Sequence, residues 1–248
     1  MAPAARHDEG VLRLAGAVLT PRWAVLFDMD GTLVDTEPLL LDALSAVLGA
    51  AGVPAEEIRP QDLRGRAVAE NLARLSVLAP APMTTRELYE RVSARLLDRL
   101  RSGTRPLPGA LRLLRALRAA RVPCALVSSS YRETVDAVLP SLGAAEFAVT
   151  LAGDEVTRPK PDPEAYRTAA ARLGVTPGHC VVVEDSAAGL RSGRAAGCAT
   201  VSVARTGEPV TLAVRGLTEL TVRRLARLVE PGCRANPGAR SATDARTS

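Results

Sequence analysis

Short apolar runs recur along the chain, each closing on small or acidic residues: Ala24-Val25-Leu26-Phe27, Ala125-Leu126-Val127, Phe147-Ala148-Val149, Val181-Val182-Val183 and residues 199–203, the last carrying two hydroxyls. Runs without polar alternation fit strands buried on both faces of a sheet. From Leu111 onward they alternate with segments of helical period, 111–120 and 163–173. That alternation predicts an α/β fold with a Rossmann-like parallel sheet and crossover helices. After the first run the pattern changes: residues 37–100 carry helical periods, such as 39–48 and 88–100, broken by Pro, Gly and Thr. A helical insertion directly behind the first strand predicts a cap over 37–105, tethered through 34–38 and 102–109. The catalytic core then comprises 23–36 and 106–230, preceded by an N-terminal extension at 1–22. Residues 231–248, rich in Pro, Gly, Ser, Thr and Arg without apolar period, are expected to be a disordered tail.

Composition adjusts this picture in three places. With 47% hydrophobic residues among 248, the chain has ample material for a sizeable core, which excludes disorder throughout. The net charge of +5 is spread unevenly: residues 1–22 hold +1 and residues 231–248 hold +2, leaving +2 for the body. Aromatic residues make up 2% of the chain, too few for the stacking platforms of single-stranded nucleic-acid binding, so no nucleic-acid partner is expected. Cys124, Cys180, Cys198 and Cys233 form no C-x-x-C pair and read as small core residues in a reducing compartment. The apolar stretch 11–19 is interrupted by Arg13 and preceded by Asp8 and Glu9, unlike a signal peptide, and no run reaches the roughly 18 residues of a membrane span. A cytoplasmic monomer without membrane contact is the expectation. Of the 32 cations, 31 are arginine; Lys160 is the lone lysine.

The chemistry concentrates where the strands end. Asp28-Met29-Asp30-Gly31-Thr32 follows the first run, Ser128-Ser129-Ser130 the second, and Glu184-Asp185 the fourth, with Arg158-Pro159-Lys160-Pro161 between them. Taken singly, each has an ordinary reading: an acidic turn, a helix cap, a solvated lysine. Open α/β sheets bind ligands at the carboxyl ends of their strands. Together, these segments bring carboxylates, hydroxyls and one ammonium to a single sheet edge.

These four segments, in this order, resemble the motifs of the haloacid dehalogenase superfamily, in particular its phosphatase-like members with a helical C1 cap, the β-phosphoglucomutase and phosphoglycolate phosphatase group. The likeness spans 23 to about 205 and implies Mg²⁺-dependent phosphoryl transfer through an aspartyl-phosphate. On that resemblance Asp28 is the nucleophile and Asp30 the general acid and base. The Mg²⁺ ligands are Asp28, the backbone carbonyl of Asp30, and Asp185, with Glu184 adding an outer contact. Ser128, Ser129 and the amides around Gly31 hold the phosphoryl oxygens, and Lys160 offsets their charge.

The lone lysine also filters the family's chemistries. Phosphonate-cleaving members need a cap lysine, and β-phosphoglucomutases use a cap lysine plus a histidine early in the first cap helix. Here that stretch reads Pro38-Leu39-Leu40-Leu41, and the histidines are His7 and His179. True dehalogenases lack the second aspartate, which Asp30 supplies. Hydrolysis of a small phosphate ester, a sugar, polyol or cyclitol phosphate, is the reading that remains. A phosphomutase, a phosphoglycolate phosphatase and a non-enzymatic binding module are the alternatives. Specificity is expected from Glu37 at the hinge, from Arg66 in the Arg64-Gly65-Arg66 loop, and from Tyr131 and Arg132 behind the serines. The arginines Arg112, Arg115 and Arg118 read as a solvated helix face.

Overall fold

The structure is a computed structural model that describes residues 13–14, 17–18, 23–54, 57–58, 73–78 and 83–230. The expected tail, Cys233, and the 64–66 loop with Arg66 lie outside these. Residues 13–14 and 17–18 form a short antiparallel pair. The main sheet has six strands: β1 (Ala24–Phe27), β2 (Cys124–Val127), β3 (Val149–Leu151), β4 (Cys180–Glu184), β5 (Ala199–Ser202) and β6 (Leu212–Ala213). All pairs are parallel, in the order β3-β2-β1-β4-β5-β6. This is the doubly wound order, whose direction reverses between β1 and β4.

Both faces of the sheet are buried, which is why its strands read as continuous apolar runs. Val25, Phe27, Leu126, Val181 and Val183 pack on one face against Leu113, Leu114 and Leu117 of α3 (Ala110–Ala119), Val135 and Val138 of α4 (Arg132–Leu142), and Leu225 of α7 (Val222–Ala226). Ala24, Leu26, Ala125, Val127, Cys180 and Val182 pack on the other, against Ala165, Tyr166 and Ala169 of α5 (Glu164–Arg172) and Ala196 of α6 (Ala187–Ala196). Alternate residues of β1 and β4 thus face opposite helical layers. Cys124, Cys180 and Cys198 are free and buried, as core residues should be.

Between β1 and α3 the chain runs through α1 (Glu37–Ala50) and α2 (Thr85–Arg101). These share a separate apolar cluster that includes Leu44, Leu48, Leu75, Leu88 and Val92. α2 starts at a capping box in which the Thr84 hydroxyl accepts from Glu87 N (3.1 Å) and the Glu87 carboxylate accepts from Thr84 N (2.8 Å). Where the chain leaves and re-enters the sheet layer, its two strands hold each other: Val34 bridges Pro106, and Leu107 N donates to Leu33 O at 2.8 Å. No helix among the described residues is long and apolar enough to cross a membrane.

The structure departs from the local expectations in three places. The third strand is Val149–Leu151, two residues later than the apolar run. A short helical turn at Ala144–Glu146 precedes it, Phe147 packs into the core, and pairing with β2 starts only at Val149. Register there is set by the neighbouring strand, which local hydrophobicity does not encode. Helix α4, which contains Pro140, and the Gly- and Ser-containing α6 form where the pattern named no helix. Two residues of β6 extend the sheet edge. Arg112 lies on the exposed face of α3 with Arg115 and Arg118, as expected, and its guanidinium also donates to the carbonyls of Leu217, Thr218 and Leu220 at 3.1–3.3 Å, tying α3 to the C-terminal segment.

Candidate active site

The sheet register assembles the site. Phe27 pairs with Leu126 on one side and with Val183 on the other, so Asp28, Val127 and Glu184 leave their strands side by side. Asp28 N still donates to Val183 O at 3.0 Å, one last rung of the ladder. By strand alternation Asp28 and Glu184 share the face of Leu26 and Val182, the layer that α5 covers. Lys160, from the loop before α5, reaches them there. Its ammonium, 4% exposed, donates to Asp28 Oδ1 (2.7 Å), Glu184 Oε1 (2.8 Å) and Val127 O (2.9 Å). All three N–H bonds of the ammonium are therefore used.

Glu184 is completely buried. Its Oε1 accepts from Lys160 and from Tyr166 Oη (3.0 Å), and its Oε2 accepts from Asp185 N (3.1 Å), Ser186 N (3.0 Å) and Ser186 Oγ (2.9 Å). Five donors on two oxygens fill the carboxylate's capacity, so Glu184 holds Lys160 and the 184–186 turn. Ser186 also caps α6, accepting from Gly189 N at 3.0 Å. A Cβ on Gly189 would overlap the Glu184 carboxylate, so the helix closes over this acid only because that side chain is missing.

Asp30 sits in the tight turn behind Asp28. Met29 O accepts from Leu33 N (2.9 Å) and Val34 N (3.1 Å), and buried Met29, Leu33 and Val34 anchor the loop in the core. Gly31 has φ +78°, and a Cβ there would overlap Asp185 Oδ2, so this glycine is required both by conformation and by space. The Asp30 carboxylate accepts from three hydroxyls: Thr36 Oγ1 on Oδ1 (2.6 Å), and Ser130 Oγ (2.8 Å) and Ser128 Oγ (3.2 Å) on Oδ2.

Electrostatically the pocket has more anions than cations. Oxygens of Asp28, Glu184 and Asp185 lie within 4.8 Å of one another, and Lys160 is the cation among them. Burial and the neighbouring Glu184 raise the Asp28 pKa well above the usual carboxylate range, despite Lys160. Burial and Glu184 likewise push Asp185 up to about 7. For Lys160, burial opposes the charge, but Asp28 and Glu184 outweigh it and hold the ammonium protonated. Glu184 is lowered although burial works against it, because Lys160 and the Ser186 donors stabilise its anion. A cluster in which Asp28 and Asp185 hold their protons too tightly, and whose free valences are oxygen, suits a hard divalent cation.

Of the expected site residues, the structure brings Asp28, Asp30, Gly31, Ser128, Lys160, Glu184 and Asp185 together. Ser129 is exposed beside them, and Glu37 is half-buried in the first turn of α1. Arg132 is a correction. All five of its N–H groups are engaged: Nε and one terminal nitrogen grip Glu155 (3.0 and 2.8 Å), and the others bond Asp136 and Thr150. It ties α4 to the 150–155 segment and has no donor left for a ligand. Tyr131 packs edge-on against Tyr89 of α2, with ring centroids 5.4 Å apart. A groove of about 490 Å³ opens between the end of α2 and α4, lined by Leu100, Thr104, Glu133 and Pro140, and none of the motif residues lines it. Sequence reading missed Thr36, Ser130, Tyr166 and Gly189. Ser130 alone carried a signal, as the third hydroxyl of the serine run.

The chain is 33% identical over 201 residues to validoxylamine A 7′-phosphate phosphatase of Streptomyces hygroscopicus subsp. limoneus, covering 79% of this chain and 94% of that protein. It is 34% identical over 208 residues to hexitol phosphatase A of Escherichia coli (strain K12), covering 80% and 93%. The crystal structure of CbbY from Rhodobacter sphaeroides in complex with phosphate superimposes with a TM-score of 0.71 at 28% identity, covering 82% of this chain and 98% of that one. The haloacid dehalogenase-like hydrolase family model matches residues 24–197, the span from β1 to the end of α6 that builds the acidic sheet edge, and the chain belongs to that family.

Proposed function

We propose that the protein is a Mg²⁺-dependent phosphatase that hydrolyses the monoester of a small polyhydroxylated metabolite, a sugar, polyol or cyclitol phosphate, through an aspartyl-phosphate on Asp28. The observation that carries this reading is the contact of Lys160 with Asp28 at 2.7 Å, in a buried acidic site at the point where the strand order reverses. Asp28 attacks phosphorus while the ester P–O bond breaks, and Asp30 delivers a proton to the departing alkoxide. Asp30 then takes a proton from the water that cleaves the acyl phosphate, releasing inorganic phosphate and restoring Asp28. Thr36, Ser128 and Ser130 orient Asp30 for both transfers. Lys160 offsets the charge that builds on the phosphoryl oxygens. Asp28, the Asp30 carbonyl and Asp185 would hold Mg²⁺, with Glu184 behind them; when bound, the ion neutralises the phosphoryl group and orients it. Residues 37–105 act as a cap that closes on the leaving group over a core of 23–36 and 106–230.

The names of two relatives, validoxylamine A 7′-phosphate phosphatase and hexitol phosphatase A, support a small polyhydroxylated phosphate ester as the substrate class. Hydrolysis is favoured over mutase chemistry because the chain's one lysine is engaged on the sheet edge. The test is phosphate release, with Mg²⁺, across a panel of sugar, polyol and cyclitol phosphates, ranked by kcat/KM, with Asp28→Asn as control. Release by the wild type and none by the variant is expected. Turnover retained by Asp28→Asn would overturn the mechanism, and a wild type inert on the whole panel would overturn the activity.

A further inference from the structure

Lys160 can serve phosphoryl transfer only if its ammonium stays on Asp28. Two of its three acceptors are fixed by the strand ends: Asp28 Oδ1 and Val127 O. The third, Glu184 Oε1, belongs to a side chain that could draw the cation away, since two buried opposite charges attract strongly. Tyr166, fully buried on α5, faces the same oxygen. Its hydroxyl donates to the same Oε1 at 3.0 Å, and its ring lies 4.9 Å from the Lys160 nitrogen. Burial raises its pKa well above the ordinary phenol value, so it stays a donor at working pH.

We propose that Tyr166 is a positioning residue for phosphoryl transfer, sharing Glu184 Oε1 with Lys160 so that the ammonium remains seated on Asp28. The proposal rests on the phosphatase reading above. Without the hydroxyl, Oε1 keeps Lys160 as its single donor, the Lys160–Glu184 contact strengthens, and the cation is withdrawn from the site of charge development. The ring, which Phe retains, still flanks the ammonium.

The test is Tyr166→Phe in the full chain, with kcat and KM on the best panel substrate and inhibition constants for orthovanadate and inorganic phosphate. Orthovanadate mimics the trigonal phosphoryl group in transfer; phosphate mimics the ground state. A defect confined to the transition state should lower kcat roughly tenfold with KM unchanged. Orthovanadate inhibition should weaken in step while phosphate inhibition holds. A thermal unfolding midpoint above the assay temperature shows that the fold persists. Unchanged kcat and orthovanadate inhibition, or equal weakening of orthovanadate and phosphate, would overturn the proposal while leaving the phosphatase reading intact. A wild type that neither turns over esters nor binds orthovanadate would instead remove that reading, and this proposal with it.

Discussion

Gly189→Ala separates local propensity from tertiary placement, because the two predict opposite signs. Inside a helix this change ordinarily stabilises by about 0.5–1 kcal/mol. At Gly189 the new Cβ would overlap Oε1 and Cδ of Glu184, which is held by five donors. With α6 capped by Ser186 and packed on the sheet, the carboxylate is what must move, and it abandons Lys160 as it does so. Breaking a buried ion pair costs about 3–5 kcal/mol. Set against the helical gain, a net loss of about 2–4 kcal/mol remains, equivalent to a Tm drop of roughly 4–16 °C for a chain of this size. With Lys160 unseated, kcat should fall on the order of 100-fold. The matched control is Gly49→Ala in α1, where a Cβ meets nothing within 4 Å and modest stabilisation is expected. Calorimetric Tm and phosphate release read both. A Gly189→Ala protein as stable and active as Gly49→Ala would refute the reasoning.

Two further outcomes follow from the same geometry. Because the Asp185 pKa is raised to about 7, ionising it destabilises the metal-free protein, and that cost grows as pH rises toward 7. Mg²⁺ binding needs the ionised form, so its affinity by titration calorimetry should be about 30-fold weaker at pH 5.5 than at pH 8, and the Mg²⁺-induced rise in Tm smaller; equal increments at the two pH values would count against the ligand assignment. Arg132→Ala should lower Tm by a few degrees, at about 1–2 kcal/mol for a partly exposed network, with kcat and KM within about twofold of wild type. A large rise in KM would restore Arg132 to the substrate site.

Much of the candidate site was legible in the chain because its residues are written in short segments. Asp28-Met29-Asp30-Gly31, Ser128 and Glu184-Asp185 each follow an apolar run, and a strand buried on both faces leaves its first polar residue at the sheet edge. The lone lysine stood out by count. What the sequence could not decide is which cation joins the acidic cluster and which ties the scaffold together. Lys160 and Arg132 both stand near strand ends, yet one faces Asp28 and the other is consumed by Glu155, Asp136 and Thr150. That depends on strand parity and on which helix covers which face, both properties of pairing between distant segments. The same holds for Tyr166, an ordinary core aromatic by pattern, and for Gly189, an unfavourable helix residue by propensity. Each takes its meaning from one carboxylate, Glu184, that register and packing bring against it from another part of the chain. Local hydrophobicity and spacing therefore determined the four inner strands, the insertion and the motif acids. Only the tertiary structure decided the partners, because hydrogen bonds and buried charges are satisfied across elements far apart in sequence.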